Sequence, residues 1–283
     1  MIEIEDMEYG WRPDVPDWRD YTDETEEIRE IIPQLKRKNL SKVDLSKHFS
    51  PVEDQNHLSA CVANALVGIM EYNQKRKYGE HVDLSRLFVY YNAREIAGLK
   101  GDSGCFIRSG MESLATMGVC PEKHHKYNVR DVDKEPSNFA YSYAQNYKIE
   151  KYYRLDTRGT SKHELLDKVK LNLENGIPCA TGFTVFESYR HASKTGDIMF
   201  PSRKESINGA HAIAICGFDD NKKIRGLDGK VTKGAFKIRN SYSNRWGDDG
   251  CGFLPYEYLL KGLMQDFWCV LEADWVDLDK FKR

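Results

Sequence analysis

The chain has 283 residues, 30% of them charged, and 42 Lys and Arg against 44 Asp and Glu leave a formal net charge of -2. That length can bury one large domain or two lobes, and the balanced charge provides no strong basic field of the kind that nucleic-acid binders use, so DNA and RNA are not expected partners. With 12% aromatic residues and no run of about eighteen apolar residues, the chain reads as globular rather than disordered or membrane-spanning.

The acidic start Met1-Ile2-Glu3-Ile4-Glu5-Asp6 has neither the basic nor the apolar region of a secretory signal. An intracellular location is expected: the cytoplasm, or the virion for a viral protein. Seven Cys, an odd number over a long chain, suit reduced thiols better than a disulfide framework. Residues 1 to about 42 form an extended arm, punctuated at Pro13 and Pro16 and carrying Trp11 and Trp18. Two exposed Trp would be costly, so both are expected to dock on the body.

Cys61, Val62, Ala65, Leu66, Ile69 and Met70 follow helical spacing up to Gly79, which predicts a buried central helix beginning at or just before Cys61. Further helices are expected after Ser85, around Met111 to Gly118, and from the capping sequence Ser161-Lys162-His163-Glu164 to Gly176. Strand-like runs follow at 178–185, 211–217, 234–239 and 269–271. The expected class is α+β in two lobes: a helical one at roughly 43–150 and a β-rich one at roughly 151–283.

Cys61 at a helix N-terminus would have its thiolate favoured by the helix dipole and the unpaired N–H groups. A Cys on a helix is more often a small buried hydrophobe, so the downstream context decides. His211 heads an apolar strand 150 residues later, and Asn240 ends another. A thiolate attacks best with an imidazole to take its proton and a third group to orient that imidazole. Cys120, His124 and His125 have no second Cys/His pair at ligand spacing and read as loop residues, as does His57.

Pro51-Val52-Glu53-Asp54-Gln55 six residues before Cys61, Gly217-Phe218-Asp219 after His211, and Asn240-Ser241 with Trp246-Gly247 together resemble the papain family over about 43–283. Leu58 and Val62, where secretory members carry a disulfide Cys and a Trp, resemble the bacterial and large-virus branch. The resemblance implies a papain-like fold with the active site in the cleft between its lobes. Catalysis would come from Cys61, His211 and Asn240, with the Gln55 side chain and the Cys61 backbone N–H as oxyanion donors. Tyr242 would stand where the family's shielding Trp lies, and Trp246 would wall the leaving-group side. Gly104 and Cys105 would pair with substrate, with Ala210 beside the imidazole; Met264, Gln265 or Asp266 would reach the specificity pocket.

The expected activity is that of a cysteine endopeptidase acting as a monomer on protein or peptide substrates, with no cofactor and no metal. The arm occupies the place of an inhibitory pro-segment, although a permanent strap fits it equally. Two alternatives remain open: a transglutaminase or amide transferase, which would normally use Asp as third member, and a binding protein on a catalytically weak protease fold.

Overall fold

The structure, a computed structural model, describes residues 9–32 and 35–275. The acidic start Met1 to Asp6, and residues 276–283 of the expected β-rich half, lie outside the described residues. In chain order come β1 (Trp11–Arg12), the one-turn α1 (Glu26–Arg29), β2 (Lys42–Asp44), α2 (Cys61–Tyr78), α3 (Arg86–Ile96), β3 (Cys105–Phe106), α4 (Ile107–Thr116), α5 (Asn138–Ala144) and β4 (Tyr147–Arg154). Then follow α6 (Lys162–Glu174), β5 (Cys179–Phe186), α7 (Ala192–Thr195), β6 (Ile207–Arg225), β7 (Val231–Arg239), β8 (Cys251–Pro255), α8 (Tyr256–Leu260) and β9 (Met264–Trp275).

The central helix of the first half, α2, is buried on every side from Cys61 to Tyr72 and stops at Gly79, whose φ of 86° only glycine adopts without strain. Ser85 caps α3 by accepting from Phe88 N, and Ser161 caps α6 by accepting from Glu164 N at 3.2 Å. Replacing Ser161 by Ala leaves that N–H unpaired at the helix start. Stability should fall by about 1 kcal/mol, read as a lower denaturation midpoint at unchanged slope.

The second half builds an antiparallel sheet in the order β4-β9-β5-β6-β7-β8, with β2 paired to β6. In β6, Ala212, Ala214 and Cys216 join the apolar cluster that contains α2, while Ile213 and Ile215 join the cluster on the other face with Phe183, Phe236 and Ile238. This period-two division puts small side chains against the helix and large ones away from it, so α2 packs closely on the sheet and Cys61 comes up against β6. The outcome is an α+β fold of two lobes.

Some elements differ from expectation. Strands β4 and β8 were not anticipated; β4 carries Lys, Glu and Arg and has register shifts against β9 near Lys151, which break the two-residue alternation. The strand begun near His211 continues to Arg225 beyond another irregularity after Asp219. Trp11 docks, but Trp18 is 93% exposed. Asp17 accepts from the backbone N of Arg19 at 3.0 Å and pairs with its guanidinium, closing a tight turn that leaves Trp18 outside. All seven cysteines are free, and among the described residues no helix is long and apolar enough to cross a membrane.

Candidate active site

The first N–H groups of α2 have no partners within the helix, and Cys61 lies at this end, its Sγ accepting from Ala212 N at 3.4 Å. His211, the residue before Ala212 in β6, shares a 2.9 Å hydrogen bond between Nε2 and Asn240 Oδ1, just past the end of β7. Since the amide oxygen only accepts, Nε2 carries the proton and Nδ1 keeps its lone pair. Nδ1 has no hydrogen-bond partner among the described residues. Asn240 is held by Ser241 N, which donates to its Oδ1, and by Tyr189 OH, which accepts from its Nδ2, each at 2.9 Å. The Tyr242 ring lies parallel to the imidazole at 5.1 Å, and Trp246, fully buried, stacks on Tyr189.

Gln55 is equally fixed. Its backbone N donates to Ser241 O at 2.8 Å, and its Oε1 accepts from Ser241 Oγ at 2.5 Å. Its Nε2 donates to Leu58 O at 2.8 Å, and Tyr127 OH donates to its carbonyl at 2.8 Å. With Oε1 anchored, the NH₂ end of the amide is the one turned toward the Leu58 to Cys61 turn. Tyr127 and Tyr189 were not anticipated from sequence, because each acts through a hydroxyl that no short-range pattern marks.

The arm lies across this constellation. Tyr9 packs edge-on against His211, with ring centroids 6.1 Å apart. Gly10 follows, so close to the turn before α2 that a Cβ would stand 1.8 Å from Ser59 O, and its carbonyl accepts from Cys105 N at 2.9 Å. Gly104 lies just as close beneath it, where a Cβ would meet Gly10 O. Trp11 and Arg12 pair in parallel with Cys105 and Phe106. The segment expected to receive substrate by strand addition thus holds the arm in that way. Arg12 donates to Ser103 O at 2.7 Å, and Asp20 forms two bonds with Arg108 at 2.6 and 2.7 Å. Asp14 accepts from Trp268 Nε1 at 3.0 Å and from Arg154 at 3.3 Å. Ala210 is half-buried in β6, opposite Thr184.

Burial sets the electrostatics. It pushes the Cys61 thiol up to about 11, against the pull of the backbone N–H groups of Ala212, Gly10 and Val62. It pushes His211 down to about 4, against the hydrogen bond that Nε2 donates to Asn240. Between those limits the thiol and the imidazole are both neutral. The dipole of α2 does not outweigh desolvation while the arm is in place.

Elsewhere, Glu53, Glu71 and Asp83 bring ligand atoms within 4.8 Å of one another. Arg86 is ion-paired with Glu53 at 2.9 Å, and Arg239 acts on both glutamates, so the two glutamates already have cationic partners. His124 packs against Phe139 and Tyr143, His125 packs against Phe88, and His57 is exposed.

A family model described as papain family cysteine protease matches residues 40–257. An uncharacterised peptidase C1-like protein of Acanthamoeba polyphaga mimivirus is 33% identical over 226 residues, which is 78% of this chain and 69% of that protein. The crystal structure of xylellain, a cysteine protease from Xylella fastidiosa, superposes with a TM-score of 0.75 at 34% identity, covering 95% of this chain and 96% of that one. Bromelain from Ananas comosus shares the fold at 20% identity, with a TM-score of 0.59 over 82% of this chain and 100% of its own. The chain therefore belongs to the papain family of cysteine proteases and is a hydrolase of that class.

Proposed function

We propose that this protein is an endopeptidase whose nucleophile is Cys61, with His211 as base, Asn240 as orienting group and Gln55 as oxyanion donor. We further propose that residues 1–42 form an arm that holds the peptidase domain, 43–283, closed. The observation that carries the reading is the chain of contacts from Cys61 Sγ through the Ala212–His211 segment to Asn240 Oδ1, with Gln55 bonded to the next residue, Ser241. Nδ1 of His211 takes the thiol proton, and the thiolate attacks the peptide carbonyl. The oxyanion forms against the N–H of Cys61 and the amide of Gln55, whose Nε2 exchanges Leu58 O for the developing charge. His211 then gives its proton to the leaving amine, and water cleaves the thioester.

Because His211 protonates the leaving amine, the leaving-group side of the cleft is the side at the imidazole, and the acyl side lies along β3. A substrate runs from acyl to leaving side. The arm runs the other way, from Tyr9 at His211 to Trp11 at β3. That direction supports an arm that fills the cleft without being cut.

Cleavage of fluorogenic peptides, together with stoichiometric labelling by an epoxide inhibitor of cysteine proteases, tests the assignment. Replacing Gln55 by Ala removes one oxyanion donor and should lower kcat/KM by about 10²–10³ while leaving inhibitor labelling measurable. An unchanged rate would remove Gln55 from the mechanism.

A further inference from the structure

We propose that the pocket filled by Trp11 selects substrates with a tryptophan immediately before the residue whose carbonyl Cys61 attacks, and that Asp266 reads the indole N–H. The proposal rests on the protease reading above and concerns the acyl side of the same cleft. Gly10 lies over the Cys61 turn, and Trp11, its neighbour on the β3 side, is 6% exposed. The indole lies against Gly182 of β5, where a Cβ would come within 2.0 Å of the ring. Glycine at this position makes room for a bicyclic side chain.

The floor of the pocket supplies the selectivity. Asp266, in β9, is fully buried, and its Oδ1 is held by Arg154 at 2.7 Å. Its Oδ2 accepts from Trp11 Nε1 at 3.0 Å and from Asp14 N at 2.8 Å. Among the described residues, both donors to Oδ2 belong to the arm. When the arm leaves, the pairing of Oδ1 stays and Oδ2 loses these partners, and an acceptor left unpaired in a pocket is costly. A substrate indole restores the bond in the position that Trp11 shows. Phenylalanine fills the space but leaves Oδ2 bare. Arginine or lysine brings a second cation up against the Arg154 guanidinium, which already occupies Oδ1 of Asp266 and is shared with Asp156. The arm thus carries the side chain that its pocket fits, and it holds that side chain in a chain running the wrong way for cleavage.

The test uses the full chain carrying Gly10→Val to displace the arm, and fluorogenic peptides that differ only in Trp, Phe or Arg at this position. The ratio of kcat/KM values is taken within one preparation, so partial folding or partial arm release cancels. Trp is expected to exceed Phe by about ten- to a hundredfold, and Arg to fall below both. Asp266→Leu should bring the Trp to Phe ratio close to unity, whereas Asp266→Asn, which keeps an acceptor oxygen, should retain most of it. Equal rates for Trp and Phe, a preference for Arg, or a ratio unmoved by Asp266→Leu would overturn the proposal. If Gly10→Val does not fold, the same ratios are read from the unaltered chain at higher enzyme concentration. Binding of the same peptides to a Cys61→Ala, Gly10→Val chain separates the two readings. Trp-selective binding with no hydrolysis in the Cys61 form sinks the protease assignment and supports the pocket, while unselective binding sinks the pocket.

Discussion

Replacing Cys61 by alanine is expected to abolish peptide hydrolysis, with kcat/KM falling by about 10⁵-fold or more, because no other group near His211 replaces the nucleophile. The substitution removes one sulfur from the start of a helix and leaves Ala, the best helix former, in its place, so the fold should persist. Fluorogenic peptide assays, intact-mass analysis after the epoxide inhibitor and a thermal melt check the three parts together. Loss of turnover and of the adduct with a retained melt supports the assignment. Turnover at the original rate ends it. His211→Ala should be as damaging alone, and the double variant little worse, since the two residues act as a unit.

A second large effect is expected at Gly10. A valine side chain there collides with Ser59 O, where even a Cβ would stand at 1.8 Å, and backbone on both sides leaves it nowhere to move. Overpacking of this kind typically costs about 1–3 kcal/mol, and here it falls on the docked arm alone. The open fraction, and with it kcat/KM of the full chain, should therefore rise about ten- to a hundredfold. Labelling of Cys61 by iodoacetamide reports the same change through pH. With the arm closed, the thiol loses its proton only near 11 and the imidazole gains one only near 4, so labelling between those values is slow and rises toward alkaline pH. Water entering the opened cleft relieves the desolvation that causes both shifts, lowering the thiol and raising the imidazole, so thiolate and imidazolium coexist near neutrality. Gly10→Val should then label fast at pH 6, where the parent chain does not. Identical labelling profiles and rates would show that the arm does not restrain the site.

The sequence made the central helix legible because Cys61 to Met70 repeat at helical spacing, Gly79 ends the helix and Ser85 opens the next one. Cys61, His211 and Asn240 could be grouped before any coordinates, since the chemistry of a thiolate demands those residue types and the segment Pro51 to Gln55 fixes the family likeness. Strand β4 was hidden by its charged residues and its bulge. Tyr189 was hidden because it reaches Asn240 over 51 positions through one hydroxyl. The arm was recognisable as extended by its prolines, but its contacts depend on folded surfaces. Trp11 and Trp18 look alike in sequence, yet one meets the space beside Gly182 and the other is turned out by the Asp17–Arg19 pair.

Strand β2 gives the arm a property that a separate inhibitor lacks. Lys42, Val43 and Asp44 pair with Asp219, Phe218 and Gly217, and the Glu174 carboxylate accepts from the backbone N of Lys38 and of Leu40, so the root of the arm is part of the sheet. Opening at Gly10 releases a tethered end, not a diffusing peptide. Its effective concentration at the cleft is set by the length and stiffness of the connecting chain and not by the protein concentration. Dilution therefore leaves the closed fraction unchanged. Under the proposed closure, a substrate competes with a rival present at one fixed local strength, so its apparent KM is raised by the same factor at every enzyme concentration.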